Sequence, residues 1–298
     1  MIADTLNNRV GGRCNLRISK HPSWIKAKIP AGQNFFDVKR MLQRLELHTV
    51  CEEARCPNIG ECWHNRTATF MILGNICTRR CKFCAVTKGL PTELDESEPE
   101  RIGRAAAELG LRHLVITSVT RDDLKDGGAS IFARCVTEAR KHNPGCSVEV
   151  LIPDFQGDFS ALAKVVAAKP DVLNHNIETV SRLYPSIRPQ ADYHRSLTLL
   201  QQAKEMNKSI LTKSGLMVGL GEMVIEILQT MRDLRDSACD LLTIGQYLSP
   251  SQSHLPVVRY YHPDEFEELK EAGEEMGFRH VESGPLVRSS YHARRQVG

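Results

Sequence analysis

The chain has 298 residues, 41% of them hydrophobic and 25% charged, with a net charge of +3 at neutral pH and ten cysteines. That length can bury a large core as one big domain or two small ones, and the sequence shows neither a low-complexity run nor a fixed-period repeat. No apolar run reaches membrane-spanning length and no continuous apolar segment opens the chain as a secretory signal would, so the cysteines point to a reducing compartment, where they bind metal more often than they pair, and a cytoplasmic location is expected.

Residues 1–45 hold nine basic residues (Arg9, Arg13, Arg17, Lys20, Lys26, Lys28, Lys39, Arg40 and Arg44) against Asp4 and Asp37, a local net of +7. Such an arm meets an acidic protein, nucleic acid or a membrane surface, or it is a solvated wrap around the domain. No RNA-recognition or helix-turn-helix pattern supports the nucleic-acid reading, and neither nucleic acid nor membrane is expected as a partner. A helix is predicted from Asn34 to Leu47, with Phe36, Val38, Met41, Leu45 and Leu47 roughly on one face. Then come Cys51, Cys56 and Cys62, spaced C-x4-C-x5-C, with Pro57, Asn58 and Gly60 looping the backbone between them. A buried strand is predicted over Thr67–Leu73. It separates this group from Cys77, Cys81 and Cys84, spaced C-x3-C-x2-C, so two centres are expected rather than one six-ligand site. Soft sulfur selects zinc or iron–sulfur clusters. Zinc usually takes four protein ligands, whereas each group here stops at three. Unrelated buried cysteines or a zinc knuckle are the alternative.

Beyond the second group the pattern alternates. Helices are predicted at Glu98–Leu109 (Ser97 as N-cap), Ala129–Lys141, Phe159–Ala168, Tyr193–Met206, Met223–Asp236 and Pro263–Met276. Strands are predicted at Leu114–Val119, Ser147–Ile152, Val172–Ile177, Ser209–Val218 and Leu241–Gly245. With the Thr67–Leu73 run this gives six strands in repeated β–α units and a parallel sheet. The pattern alone leaves open an incomplete barrel or a doubly wound sheet. Either places ligands at the carboxyl ends of the strands. Polar clusters follow those ends: Cys77–Cys84, Thr117–Asp123, Asn174–Thr179, Gly219–Glu222 and Gln246–Leu248. Cys135 and Cys239, in or beside helices, read as small buried apolar residues; Cys14 and Cys146 also fall outside both groups.

These motifs carry a resemblance. Cys51-x4-Cys56-x5-Cys62, Cys77-x3-Cys81-x2-Cys84, the run from Thr117 to Ala129, Asn174-His-Asn-x-Glu-Thr179, the run from Lys213 to Glu222, Leu242–Leu248 and the run from Gly284 to Ala293 with its Arg-Ser-Ser-Tyr are similar to those of the lipoyl synthase family, from about residue 34 to 295. The resemblance implies a partial (β/α)6 barrel of the radical S-adenosylmethionine (radical SAM) type over residues 66–283. It also implies an N-terminal extension over 1–65 and a C-terminal tail over 284–298. Cys77, Cys81 and Cys84 would hold a catalytic [4Fe–4S] cluster whose reduced form cleaves SAM to methionine and a 5′-deoxyadenosyl radical. That radical would take hydrogens from C6 and C8 of an octanoyl chain on a carrier-domain lysine. Cys51, Cys56 and Cys62, with Ser290 rather than Ser289 as fourth ligand, would hold an auxiliary [4Fe–4S] cluster that supplies sulfur. Ser290, a harder ligand than thiolate, would be the corner that leaves first. Ser118, Thr120, Asn176, Glu178 and Arg188 would contact SAM, Arg188 through its fork to the carboxylate; His175 is read as packed.

Implied partners are octanoylated carrier domains of 2-oxoacid dehydrogenase E2 or glycine cleavage H protein, a reductant such as ferredoxin or flavodoxin, and an iron–sulfur carrier for cluster repair. Arg259 and the basic arm are candidates for meeting an acidic carrier. Biotin synthase-like enzymes place their auxiliary ligands within barrel strands, and methylthiotransferases use a longer N-terminal domain. Ferredoxin-like modules are short and close each cluster with four cysteines.

Overall fold

The computed structural model describes residues 21–91 and 93–297; Arg9, Arg13, Arg17, Lys20 and Cys14 lie outside the described residues. Helix α1 spans Gln33–Arg44, and β1 (His48–Thr49) leads into two short helices, α2 (Val50–Glu53) and α3 (Ile59–His64). Next come β2 (Thr69–Ile72), the small ladder of β3 (Ile76–Cys77) with β4 (Thr87–Lys88), and α4 (Glu98–Leu109). The units that follow are β5 (His113–Ser118) with α5 (Ala129–His142), β6 (Ser147–Leu151) with α6 (Phe159–Ala167), and β7 (Val172–Asn174) with α7 (Tyr184–Ile187) and α8 (Tyr193–Met206). The last are β8 (Leu211–Val218) with α9 (Val224–Asp236), β9 (Leu241–Gln246) with α10 (Pro263–Glu275), and β10 (His280–Gly284).

The main sheet runs β1-β2-β5-β6-β7-β8-β9-β10, parallel throughout except for the antiparallel β1 at its edge. Its order follows the chain without reversal, so there is no switch point of the doubly wound kind. Helices α4, α5, α6 and α8 pack each against the next in one row. A one-sided row on a twisted parallel sheet is an incomplete barrel, with edges at β1 and β10. The six expected strands are all present. The strand β10 adds a seventh parallel member that was not predicted, because Glu282, Ser283 and Gly284 break the apolar pattern.

Local chemistry explains the element ends. Helix α4 begins with Glu98 and Pro99 and stops at Gly110, whose φ of 63° is the left-handed cap that glycine adopts without strain. The side chain of Asp158 caps α6 and that of Asp192 caps α8. Ser97 stands at the start of α4 but does not cap it; its oxygen accepts from the Arg101 guanidinium and its hydroxyl donates to Asp95 at 2.6 Å. In α1 the buried residues are Phe35, Val38, Met41 and Leu42. Val38 and Met41 face inward as predicted, and Leu47 just beyond the helix is buried too, but Phe36 is 51% exposed and Phe35 takes its place on the inner face. Phe35 packs 5.0 Å from Trp63, between ring centroids, and this contact fixes the rotation of the helix.

Inside the barrel, four neighbouring strands meet at one carboxylate. Glu149 of β6 accepts from Lys213 Nζ of β8 at 2.9 and 3.2 Å and from Asn174 Nδ2 of β7 at 2.9 Å; His113 of β5 lies 3.3 Å away. The Glu149 and Lys213 side chains are fully buried. Burial alone would raise the Glu149 carboxyl, but the Lys213 charge and the His113 hydrogen bond bring it down from 4.5 to about 2. Its stabilisation is present above the ordinary carboxylate value and is lost as pH falls from 4.5 through about 2. Replacing Lys213 with Met strands that charge and should cost about 3–5 kcal/mol in urea unfolding at neutral pH. Pairing Lys213→Met with Glu149→Gln should recover a large part of the loss.

Candidate active site

The carboxyl ends of the parallel strands open into one cavity of about 550 Å³. Every predicted site residue lines it: both cysteine groups, Ser118, Thr120, Asn176, Glu178, Arg188 and both tail serines.

The first triplet is built on the short helices. Thr49 caps α2 by accepting from the Glu52 amide, which fixes Cys51 in the first turn. The Cys56 amide returns to the Cys51 carbonyl at 3.0 Å, and Cys62 enters α3 through its bond to the Asn58 carbonyl at 2.9 Å. The second triplet starts at the end of β3. Thr78 bonds the Thr120 carbonyl through both its amide and its hydroxyl, at 3.0 Å each. Arg79 is buried inside the loop and binds Asp122 at 2.7 and 2.9 Å and Asp154 at 2.6 Å. Burial opposes its charge, yet these two carboxylates raise its pKa above the usual arginine value. Asp154 is fully buried, also pairs with Arg195, and is held below the usual carboxylate range. This fork clamps the loop to the ends of β5 and β6.

Burial pushes the thiols up, to about 12 for Cys51, Cys62 and Cys84 and in the same direction for Cys56 and Cys81. Within each triplet the thiols also disfavour one another's ionisation. Each triplet has one arginine that opposes this trend: Arg188 beside Cys81 and Arg288 beside Cys56. Among the described residues no three His, Cys, Asp or Glu side chains gather tightly enough to hold a single metal ion. A cubane asks for a wider triangle of soft thiolates, which is the donor set here. Two residues of the lining carry buried polar atoms without a hydrogen-bond partner, the Ser118 hydroxyl and Arg188 Nε. They suit a polar cofactor.

The tail enters between the two triplets. Asn58 Nδ2 donates to the Leu286 carbonyl at 2.7 Å. A Cβ on Gly245 would overlap the Val287 carbonyl, and one on Gly215 would lie 2.8 Å from Ser289 Oγ, so both strands must be bare there. Thr69 Oγ1 then donates to Ser290 Oγ at 2.8 Å. The sequence pattern assigns no role to Thr69, Arg79 or Arg288. Arg79 lies inside the cysteine motif and Arg288 beside the tail serines, so motif proximity could have flagged both; nothing in the pattern marks Thr69.

His175 uses both ring nitrogens, on the Ile152 carbonyl at 2.8 Å and Ser196 at 3.1 Å, as expected of a packed histidine. Burial, reinforced by Arg188, lowers its pKa to about 4. Arg188 Nη1 is spent on Asn176 O, Ile177 O and the Tyr184 hydroxyl, which leaves only part of its fork for a carboxylate. Arg259 pairs with Glu265 and lies 4.0 Å from the Tyr261 ring centroid, so it is already committed within the chain. Cys135, Cys146 and Cys239 are buried away from the cavity. No described helix is long and apolar enough to cross a membrane.

The sequence profile of the radical SAM superfamily matches residues 71–234, and that of the N-terminal domain of lipoyl synthase of the radical SAM family matches residues 5–56. A lipoyl synthase of Rubrobacter xylanophilus is 62% identical over 93% of this chain and 86% of its own length. One of Koribacter versatilis is 58% identical over 93% and 91%. Among solved structures, the FeFe-hydrogenase maturase HydG from Carboxydothermus hydrogenoformans superposes with a TM-score of 0.58 at 15% identity, covering 76% of this chain and 55% of that one. That likeness carries the fold.

The glycine seat of the tail can be tested directly. A methyl at position 245 forces the Val287 backbone away, an overpacking that costs about 1–3 kcal/mol. In Gly245→Ala, tryptic cleavage after Arg288 should accelerate roughly ten-fold, while cleavage within the barrel stays at the native rate.

Proposed function

Because the chain belongs to the lipoyl synthase family of radical SAM enzymes, we propose that this cavity inserts two sulfur atoms, at C6 and C8, into an octanoyl chain amide-linked to a lysine of a carrier domain. The observation that carries the reading is the convergence of two cysteine triplets, the tail serines and the unsatisfied polar groups on one cavity. When bound, a reduced [4Fe–4S] cluster on Cys77, Cys81 and Cys84 supplies the electron that cleaves SAM to methionine and a 5′-deoxyadenosyl radical, and a second cluster on Cys51, Cys56, Cys62 and Ser290 supplies sulfur.

The residues of the chain have distinct tasks in this scheme. The Arg79 fork holds the Cys77–Cys84 loop, whose thiols would hold the first centre, against the ends of β5 and β6. Ser118 and Thr120, at the end of β5, and the carboxylate of Glu178 offer polar partners to SAM, the carboxylate being suited to ribose hydroxyls. Glu178 has a φ of 67°, a strained conformation for a side-chain-bearing residue. It is fixed there by its amide on the Gly215 carbonyl and by the Met217 amide on its own carbonyl, both at 2.9 Å. The wall between the polar groups is apolar: Met71, Val86, Leu151, Ile152, Leu216 and Met217 line it. Such a wall excludes water and offers an alkyl chain a matching surface.

On the other side, Thr69 presents its hydroxyl hydrogen to Ser290 Oγ, so the serine oxygen is oriented as an acceptor before any metal arrives. The same reading makes the protein a sulfurtransferase of a reducing compartment such as the cytoplasm. Its partners would be an octanoylated E2 or H-protein domain, a ferredoxin- or flavodoxin-type reductant and an iron–sulfur carrier that restores the consumed centre.

Anaerobic reconstitution tests the assignment. The wild type should carry about eight irons, and the Cys77/Cys81/Cys84→Ala and Cys51/Cys56/Cys62→Ala triples about four each. The first triple should lose SAM cleavage; the second should keep cleavage and lose sulfur insertion. Zinc in place of iron, or cleavage surviving in both triples, would overturn the assignment. Ser290→Cys should keep all irons yet release less sulfur per round, since a soft fourth ligand holds the centre more firmly; undiminished transfer would remove the serine's labile role.

A further inference from the structure

The adjacent serines of the tail reach in opposite directions. Ser290 turns to Thr69 and the first cysteine triplet. Ser289 turns to the SAM pocket and donates to Asn176 Oδ1 at 2.9 Å. Asn176 Nδ2 in turn donates to Glu178 Oε1 at 3.0 Å. This is a directed relay: hydroxyl to amide oxygen, amide nitrogen to carboxylate. Glu178 Oε2 accepts no hydrogen bond among the described residues and belongs to the cavity wall. Gly215 leaves room for the relay: a Cβ there would lie 2.7 Å from Asn176 Oδ1 and 2.8 Å from Ser289 Oγ. Each functional group of Asn176 thus makes one bond within the chain, and the one from its nitrogen orients Glu178, while a second amide hydrogen is left over for a ligand.

We propose that Ser289 is a positioning residue that couples the seating of the tail at the auxiliary triplet to the shape of the SAM pocket. With the tail seated, Ser289 orients Asn176, and Asn176 orients the free oxygen of the Glu178 carboxylate. If Ser290 leaves its centre, the same segment releases Asn176, and the carboxylate loses its fixed direction. Linkage makes the effect reciprocal: SAM bound at Glu178 favours the seated tail, and a seated tail favours SAM. The two steps of the reaction thus share a four-residue segment, Val287–Ser290. The inference rests on the assignment of Glu178 to SAM and of Ser290 to the auxiliary centre.

The test is equilibrium dialysis of labelled SAM against reconstituted holoenzyme, with iron counted in the same samples. Ser289→Ala removes one neutral hydrogen bond and should weaken SAM binding roughly three- to ten-fold while retaining the wild-type iron content. In a Glu178→Gln background the same substitution should have little further effect, because its influence passes through the carboxylate. A purely structural role for Ser289 would give additive losses. Wild-type affinity in Ser289→Ala, or additive losses in the double variant, overturns the relay. Loss of about four irons from Ser289→Ala, with none lost from Ser290→Ala, would make Ser289 the cluster ligand and overturn the assignment beneath the relay instead.

Discussion

The site depends on one steric constraint: the tail can lie across the mouth of the barrel only because β8 and β9 are bare at Gly215 and Gly245. The Val287 backbone occupies the place of a side chain on β9, and Ser289 and Asn176 share the corresponding place on β8. Without those two notches the segment would ride higher, and neither serine could reach its partner. Asn58 adds a hydrogen bond from the loop between the first-triplet helices to the Leu286 carbonyl, and Tyr291 reaches Glu61 of α3 at 3.4 Å. The tail is thus held between the barrel and the helical extension. Distant parts of the sequence, at residues 58, 61, 69 and 176, are brought within a hydrogen bond of it.

Electrostatics divides the cavity into two halves. Five of the thiols, those of Cys51, Cys56, Cys62, Cys81 and Cys84, sit in surroundings that favour the neutral form, so a metal centre must displace their protons to bind. Each half has one arginine near one thiol, Arg188 by Cys81 and Arg288 by Cys56, and Glu178 lies within electrostatic reach of both arginines. The burial of Arg288 lowers its pKa, while Cys56 and Glu178 counter that. Its Nη1 donates to the Val287 carbonyl at 2.6 Å, which folds the guanidinium back against the tail that carries it. The charge that belongs to the auxiliary half therefore travels with the serines.

Much of this was legible in the sequence, and the part that was not has physical reasons. The long helices α4, α8 and α9 and the strands β5 and β9 are strongly patterned, and their positions follow from apolar spacing. The cysteine groups could be read from spacing alone, as could the rim clusters at Ser118, Asn176 and Glu178. Short elements could not: β1 and the β3–β4 ladder have two residues per strand, too few to show a period. The inward face of α1 depended on a stacking partner, Trp63, almost thirty residues away. The helix-start serine at position 97 failed as a cap because its oxygen accepts from the Arg101 guanidinium while its hydrogen goes to Asp95. Thr69 was hidden for another reason. It reads as an ordinary strand residue, and its partner lies 221 positions along the chain.

The two halves also differ in how firmly they are held. The Cys77–Cys84 loop is clamped by a buried arginine between two carboxylates, one of them fully buried. Charge-assisted bonds of this kind contribute about 1.5–3 kcal/mol each, and breaking them leaves a stranded charge. Residues 286–290 of the tail are held by neutral hydrogen bonds with Asn58, Thr69 and Asn176, each worth about 1 kcal/mol, with shape complementarity at the two glycines; beyond them Tyr291 meets the Glu61 carboxylate. A segment held in that way can leave its seat and return without disturbing the barrel, whose strands are fastened independently through Glu149 and Lys213. Under the proposed reaction one centre must survive every turnover while the other is dismantled and rebuilt. The distribution of charged and neutral contacts matches that division: the durable centre has the ionic clamp, and the renewable one has the neutral, reversible tail.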